Sequence, residues 1–306
     1  MSNKIAQSIW YLTRLRFLRL GMKNYFKLIF LASGLAVAPV QSFADTKLDV
    51  LILGDSQISF GAGEVYLDFF DNLQRNCAKT ISKAQMKRVG QRRTLAVGVR
   101  STSLHSWVAR DGRAKDTICE VDKKYGVNAG AYGIAGQPDR KFIQIGKEPG
   151  FQYCRKKKSA LEAVFDDPAN TPKLLVLNVL GNAEKRWSES QSTADTDVRR
   201  TLQQIPKSVP CIVLTTAPVF HKTTNDTRML AQNNLARALE KAGGRCHLVK
   251  GISPETRAVI EGKSKFFRQN KNGKIVDPHH PSKTAIKQYM KATGPKLCEA
   301  VAAVLK

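Results

Sequence analysis

The chain has 306 residues, of which 42% are hydrophobic and 25% charged, and its formal net charge is +25. This length and composition allow a sizeable buried core, and they exclude a fibrous or wholly disordered chain. The positive charge is far greater than solubility requires, so it implies an anionic neighbourhood.

The N-terminal residues have the order of an export signal. Residues 1–44 contain six basic and no acidic residues, and the apolar run LIFLASGLAVAPV is followed by the small residues SFA. This pattern is typical of a signal peptide cleaved after Ala44; a complete signal peptide also begins at Met22, and an uncleaved anchor is the alternative. We therefore expect a secreted or periplasmic protein with a single folded domain at 45–306.

The cysteine pattern agrees with export. All six cysteines follow residue 44, and an even number in an oxidising compartment predicts up to three disulfides, whose pairing the sequence leaves open. No two cysteines form a C-x-x-C pair, which argues against a zinc site. We expect no metal and no cofactor. The cysteines are Cys77, Cys119, Cys154, Cys211, Cys246 and Cys298.

The charge suggests the kind of partner. Without the six basic residues of the predicted signal, about +19 remains on the mature chain. The runs RKKK at 155–158 and KSKFFRQNKNGK at 263–274 could form a basic surface or could be ordinary solvated loops. For an exported protein we expect an acidic polysaccharide, a cell-wall polymer or an anionic membrane face. No nucleic-acid motif is present, and the oligomeric state is open.

Apolar runs rich in β-branched residues alternate with helical patterns along the chain. The predicted strands are 48–54, 94–99, 173–181 and 211–219. The predicted helices lie around 65–73, over 228–244, and from Ser282 towards the end of the chain, with a break at Pro295. This alternation predicts a three-layer α/β fold around a mostly parallel sheet.

Residues 101–160 interrupt the alternation. This segment is rich in glycine and turn residues and carries Cys119 and Cys154. We expect a long, disulfide-tethered, Gly-rich insertion between two strands. Long loops in such folds often shape the binding site, so the insertion is also expected to influence substrate access.

Polar side chains follow the predicted strands where each strand ends. They are Ser56, Ser101, Asn182 and, before the last helix, the segment VDPHHPS at 276–282. In an open α/β sheet, ligands bind outside the carboxyl ends of the strands, so these groups could share one crevice. A serine, a histidine and a carboxylate near fixed N–H donors are the components of nucleophilic acyl transfer.

Three of these segments resemble a known family. ILGDSQ at 52–57, LGNAE at 180–184 and DPHHPS at 277–282 look like blocks one, three and five of the SGNH hydrolases, also called the GDSL esterase/lipase superfamily. The resemblance extends from residue 48 to about residue 290. It implies a flavodoxin-like, three-layer α/β/α fold and the hydrolysis of esters through an acyl-enzyme.

The resemblance also implies catalytic roles. Ser56 would be the nucleophile, and its own N–H would be one oxyanion donor. The D-x-x-H spacing selects Asp277 and His280 as the acid and the base, whereas His279 falls out of register. Taken alone, GDS is an ordinary turn sequence and D-x-x-H is common; the order of all three blocks is what favours the catalytic interpretation.

The oxyanion hole departs from the family pattern. The second block usually supplies a glycine N–H after strand two, and here Ser101 occupies that position, with Gly98 as the alternative. The third block usually reads G-x-N-D or G-x-N-E, whereas LGNAE has Leu180 at the first glycine and an alanine after the asparagine. We still expect the side-chain amide of Asn182 to donate to the oxyanion.

The predicted function is a secreted serine esterase. Export and positive charge favour an ester on an envelope or extracellular polysaccharide, for example an acetylated anionic glycan. Two alternatives remain: an envelope O-acyltransferase with the same triad, and a non-catalytic basic binding protein on a hydrolase scaffold. Trp107 and Trp187 could line a binding site, but we expect both in the core.

Overall fold

The computed structural model describes residues 48–89, 94–110, 127–132, 141–146, 155, 157–166 and 171–306. These residues belong to one compact unit spanning 42–306. The predicted signal peptide at 1–44 lies outside the described residues, and so do Cys119 and Cys154. The structure therefore bears on the predicted folded domain and on two of the three possible disulfides.

A seven-stranded mixed sheet dominates the described residues. Its strands are β1 (Val50–Gly54), β2 (Thr94–Val99), β3 (Val127–Tyr132), β4 (Lys141–Gly146), β5 (Leu174–Asn178), β6 (Cys211–Leu214) and β7 (Cys246–Val249). They lie in the order β4-β3-β2-β1-β5-β6-β7. The five strands from β2 to β7 in this order are parallel, and β3 and β4 form an antiparallel hairpin at the β2 edge.

Helices cover both faces of this sheet. They are α1 (Gly63–Asp71), α2 (Leu73–Asn76), α3 (Lys83–Val89), α4 (Leu104–Val108), α5 (Ala160–Phe165), α6 (Glu184–Glu189), α7 (Gln191–Gln204), α8 (Lys222–Lys241), α9 (Pro254–Ile260) and α10 (Lys283–Val304). One core cluster joins Leu51 and Leu53 of β1 to α4–α8, and the other joins Val50 and Ile52 to α1–α3, α9 and α10. This alternation confirms the predicted three-layer α/β/α fold.

The parallel strands are apolar because both of their faces are covered. Every residue of β1, β5 and β6 is buried. Strand order reverses between β1 and β5, since the chain adds β2 on one side of β1 and β5 on the other. This is the flavodoxin-like order, and it opens a crevice at the carboxyl ends of β1 and β5.

A small second sheet lies just before the last helix. It pairs β8 (Arg268–Gln269) with β9 (Ile275–Asp277) in antiparallel fashion. Because β9 ends at Asp277, this hairpin delivers the DPHHPS segment to the start of α10. Ser282 then caps α10, accepting a hydrogen bond from the N–H of Ala285.

Helix α10 differs from its sequence-based prediction. The sequence predicts a break at Pro295, but the helix continues from Lys283 to Val304 with the proline inside it. A proline in a helix interior costs about 3 kcal/mol. Here the residues on both sides of it, including Thr293, Gly294 and Leu297, are buried against the rest of the core, and that burial offsets the cost.

Two disulfides connect elements that are distant in the chain. Cys77, after α2, is bonded to Cys298 in α10, and Cys211 of β6 is bonded to Cys246 of the neighbouring β7. Such bonds are compatible with an oxidising compartment, as expected for a secreted or periplasmic protein. Among the described residues, no helix is both long and apolar enough to cross a membrane.

Candidate active site

Ser56 lies two residues after the end of β1, at the start of a helical turn that leads into α1. Gly54, the last residue of β1, is packed so closely that a Cβ would lie 2.4 Å from the Ile58 side chain and 2.8 Å from the Asn178 carbonyl oxygen. Only glycine permits this turn to fold back onto the strand end. The turn therefore holds Ser56, which is half-buried, at the edge of the crevice.

Asp277 and His280 form a close pair. The Nδ1 atom of His280 lies 2.9 and 3.0 Å from the two carboxylate oxygens of Asp277. The backbone N–H groups of His279 and His280 also donate to Asp277 Oδ1, each at 3.2 Å. A carboxylate only accepts, so Nδ1 carries the proton and Nε2 keeps its lone pair. The sequence-predicted acid and base are therefore in contact.

The two partners have complementary protonation states. Burial lowers the pKa of His280, and the neighbouring His279 and Arg228 lower it further, against the opposite effect of Asp277. Burial raises the pKa of Asp277, but the charge of His280 and the hydrogen bonds outweigh it, so that pKa lies below its usual value. Near pH 7 the imidazole is neutral and the carboxylate is ionised, which suits a proton acceptor and its orienting acid.

Two contacts join the His280 loop to the turn that begins at Ser56. Gln57 Nε2 donates to the His279 carbonyl at 3.2 Å and to the Ala217 carbonyl at 3.0 Å. The ring of Phe60, one helical turn after Ser56, lies with its centroid 4.2 Å from that of His280. Ser56 and His280 thus belong to one contact region, although no hydrogen bond joins their side chains among the described residues.

The two loops predicted to form the oxyanion hole are tied together. Asn182 Nδ2 donates to the Thr102 carbonyl oxygen at 2.7 Å, and the Thr102 hydroxyl donates to the Val99 carbonyl at 2.7 Å. Ser101 has a φ of 61°, in the left-handed region that favours glycine. An amide nitrogen carries two protons, and no described residue accepts the second N–H of Asn182, so this N–H can bind another acceptor.

Gly98 occupies a different kind of position. It lies inside β2, paired with Gly54, and it is buried. A Cβ at Gly98 would lie 2.5 Å from the Ser59 backbone nitrogen and 2.7 Å from the Ile58 side chain. The glycine is needed where the turn packs against the sheet, and these contacts favour Ser101 over Gly98 as the donor in the loop.

Beneath the site lies a charged network that sequence reasoning missed. Asp55 is buried and accepts hydrogen bonds from the N–H groups of Gln57, at 2.9 Å, and Gly181, at 3.2 Å. Burial raises the pKa of Asp55 to about 6, although these N–H groups and the charge of Arg228 act against the rise. Arg228 of α8 is 4% exposed and forms an ion pair with Glu184. An arginine on the buried face of a helix is the signal that could have revealed this network.

The network explains the unusual third block. A Cβ at Gly181 would lie 3.1 Å from Arg228 Nη2 and 3.2 Å from Asp55 Oδ2, so glycine lets the two charged groups approach each other. Leu180 has a φ of 179°, which is extended backbone that any residue adopts, and its side chain is buried in the core. Leucine is therefore tolerated at the position where the family pattern has glycine.

Trp107 and Trp187 belong to the core, as expected. Both side chains are fully buried, and the Trp187 indole donates to Asp197 at 2.9 Å. His105, which is partly exposed, lies 3.5 Å from the same Asp197 carboxylate. No cluster of three or more potential metal ligands occurs in the part of the chain that the structure describes.

No family model and no curated protein matches this sequence. Among solved structures, the chain is similar to a DUF4886 family protein from Bacteroides uniformis ATCC 8492, with 12% identity, a TM-score of 0.39, and 85% of this chain and 93% of that chain covered. It is also similar to a family two carbohydrate esterase from Clostridium thermocellum, with 11% identity, a TM-score of 0.36 and coverage of 83% and 63%. A lipase, Lip_vut3, from a goat rumen metagenome has 13% identity, a TM-score of 0.35 and coverage of 81% and 98%. These likenesses are distant, and the proposals below rest on the site itself.

Proposed function

We propose that the protein is a secreted or periplasmic serine esterase that hydrolyses a carboxylic ester through an acyl-enzyme. One observation carries the proposal: the His280 imidazole, whose Nδ1 is held by the Asp277 carboxylate, packs against the turn that begins with Ser56. Its Nε2 lone pair is the base that a serine nucleophile requires. The strand ends of an open α/β sheet are also where such a site is expected.

The chemistry follows from these groups. Ser56 Oγ attacks the ester carbonyl carbon while His280 Nε2 takes the hydroxyl proton, and Asp277 stabilises the imidazolium that forms. Collapse of the tetrahedral intermediate breaks the bond to the alcohol oxygen, which receives the proton from His280. Water, deprotonated by the same imidazole, then attacks the acyl-enzyme. The carboxylic acid is released and Ser56 recovers its proton.

Three N–H groups would stabilise the oxyanion. They are the backbone N–H of Ser56, the backbone N–H of Ser101 and the second N–H of the Asn182 amide. The bond between Asn182 and Thr102 supports this role because it fixes the two loops relative to each other before the substrate binds. Each donor of this kind contributes about 2.7–4 kcal/mol to the transition state.

A fluorophosphonate probe tests the nucleophile. The wild-type protein should be labelled covalently, and Ser56→Ala should not. Ser59→Ala is the matched control, because Ser59 lies in the same turn, is buried, and its hydroxyl has no hydrogen-bond partner in the described part of the chain. That variant should be labelled like the wild type. A wild-type protein that resists labelling at high probe concentration would instead support a non-catalytic binding protein.

The substrate proposal rests on charge and predicted export. We propose an ester on an envelope or extracellular polysaccharide, with an acetyl group as the first candidate. Purified protein lacking residues 1–44 should release acetate from acetylated acidic glycans. Efficient cleavage of long-chain lipid esters without acetate release would contradict this substrate class. Adding a sugar acceptor and measuring transferred acetyl groups then separates a hydrolase from an O-acyltransferase.

A further inference from the structure

Arg100 lies at the rim of the proposed site. It follows the last residue of β2 and precedes Ser101, and its guanidinium lies 4.2 Å from the centroid of the Phe60 ring. The same ring contacts His280, and 41% of Phe60 is exposed. A single aromatic side chain therefore separates an arginine from the proposed base, and it holds that arginine in place through a cation–π contact.

Arg100 has no carboxylate partner among the described residues, unlike Arg110, which pairs with Glu162, and Arg257, which pairs with Glu261. The Nε atom of Arg100 is buried, and no described residue accepts a hydrogen bond from it. Leaving a buried donor unpaired costs about 1–3 kcal/mol, so this arrangement is unfavourable until an acceptor arrives.

We propose that Arg100 binds an anionic group of the substrate, specifically a carboxylate on the sugar that carries the ester. The proposal rests on the proposed esterase function and deepens it by naming the substrate class: esters of uronic acids. A guanidinium binds a carboxylate through two parallel hydrogen bonds. Placed one ring away from His280, it selects substrates whose acidic group and scissile ester lie on the same sugar unit.

The kinetic test compares two esters that differ in one group. Mono-O-acetylated methyl galacturonoside and its galactoside counterpart carry the same ester, but only the first has a carboxylate. Wild-type kcat/KM for acetate release should be about ten- to one-hundred-fold higher for the uronic acid. Arg100→Gln should bring the ratio of the two kcat/KM values close to one, and Arg100→Lys should retain part of the preference. Arg75→Gln, at an exposed position in α2, is the matched control.

A binding test separates this proposal from the proposed function. An unacetylated oligogalacturonate should bind the Ser56→Ala variant in isothermal titration calorimetry, and adding Arg100→Gln should weaken binding at least about ten-fold. Equal wild-type rates on the two esters, or binding that survives Arg100→Gln, would overturn the Arg100 proposal. Arg100-dependent binding without turnover of either ester would support it and contradict the esterase function.

A third ester distinguishes the kind of anion. The acetylated galactoside 6-phosphate carries a phosphate where the uronic acid carries its carboxylate. The wild-type protein should have a higher kcat/KM for the acetylated uronic acid than for the acetylated 6-phosphate. An Arg100-dependent preference for the phosphate ester would overturn the assignment to uronic acids. Circular dichroism of each variant checks that a lost preference reflects the side chain and not the fold.

Discussion

At the scale of single residues, Ser101 concentrates two demands in one position. Its backbone is left-handed, which costs a residue with a Cβ about 1 kcal/mol, and its N–H is a proposed oxyanion donor. The hydrogen bonds of the neighbouring Thr102, to Asn182 and to Val99, hold the loop in this conformation. Position 101 therefore requires a left-handed backbone conformation, and the identity of its side chain matters less.

Replacing this serine with glycine should stabilise the protein. Glycine adopts a positive φ without steric cost, so Ser101→Gly should raise the free energy of unfolding by about 0.5–1 kcal/mol while keeping the N–H in place. Urea denaturation and kcat on an acetyl ester measure the two effects. Ser188→Gly, in helix α6, is the control and should be destabilising. A Ser101→Gly variant that is less stable than the wild type would show that the backbone of Ser101 is not strained.

The pH dependence of activity should report His280. The imidazole must be neutral to accept the Ser56 proton, and its pKa lies below 6.5, so kcat/KM should rise with pH with a midpoint below that value. Asp277→Asn removes the partner that raises this pKa. The midpoint should then move to lower pH, and kcat should fall by roughly 10⁴-fold.

Asp55 supplies the control for that profile, because its pKa is about 6 and it titrates in the same range. Asp55→Asn should leave the midpoint of the activity profile at the His280 value, apart from a small shift caused by the lost charge. If the ascending limb disappears in Asp55→Asn and is unchanged in Asp277→Asn, the group that controls activity is Asp55 and not His280.

At the scale of elements, the two disulfides close loops of very different length. Cys77 and Cys298 are 221 residues apart, and Cys211 and Cys246 are 35 residues apart. In the chain-entropy model, closing the longer loop stabilises by about 5 kcal/mol and closing the shorter by about 4 kcal/mol. Replacing each pair with alanines, followed by guanidinium denaturation, should show the larger loss for Cys77–Cys298. A larger loss for the strand-to-strand pair would mean that native packing outweighs loop length.

The predictability of the elements follows their burial. β1, β5 and β6 are covered on both faces, so their apolar runs predicted them directly. β7 has only four residues and an exposed His247, so its pattern is too short and too polar to be recognised. The β3–β4 hairpin lies within the predicted insertion, where glycine-rich sequence hides a pairing that depends on the neighbouring edge of β2.

The residues of the candidate site also differ in how far the sequence predicts them. Ser56, Asp277 and His280 could be selected from short motifs, since each motif is local in the chain. The Asp55–Arg228–Glu184 network could not, because its members come from three elements and only the folded sheet brings them together. Helical periodicity can place Arg228 on the buried face of α8, but no spacing in the sequence encodes which carboxylates it meets there.

At the scale of the whole molecule, the net charge, which is +25 for the full chain and about +19 without residues 1–44, should govern association with anionic polymers. Binding that releases counterions weakens as salt rises, so retention on immobilised pectate should decrease steeply between about 50 and 200 mM salt. A neutral polysaccharide support is the control. Retention that does not change with salt would exclude an electrostatic association.

Gln57 connects the loop that carries His280 to the sheet and to the turn that carries Ser56. The side-chain amide of Gln57 donates hydrogen bonds to the carbonyls of His279 and Ala217, and it accepts one from the N–H of Ala217, which follows β6. The loop that carries His280 is therefore attached to the sheet through the turn that carries Ser56. None of these bonds involves residues 101–160. Changes in the insertion beyond α4 should therefore leave the nucleophile and the base in their present relation, provided that Ser101, Thr102 and the buried residues of α4 are kept.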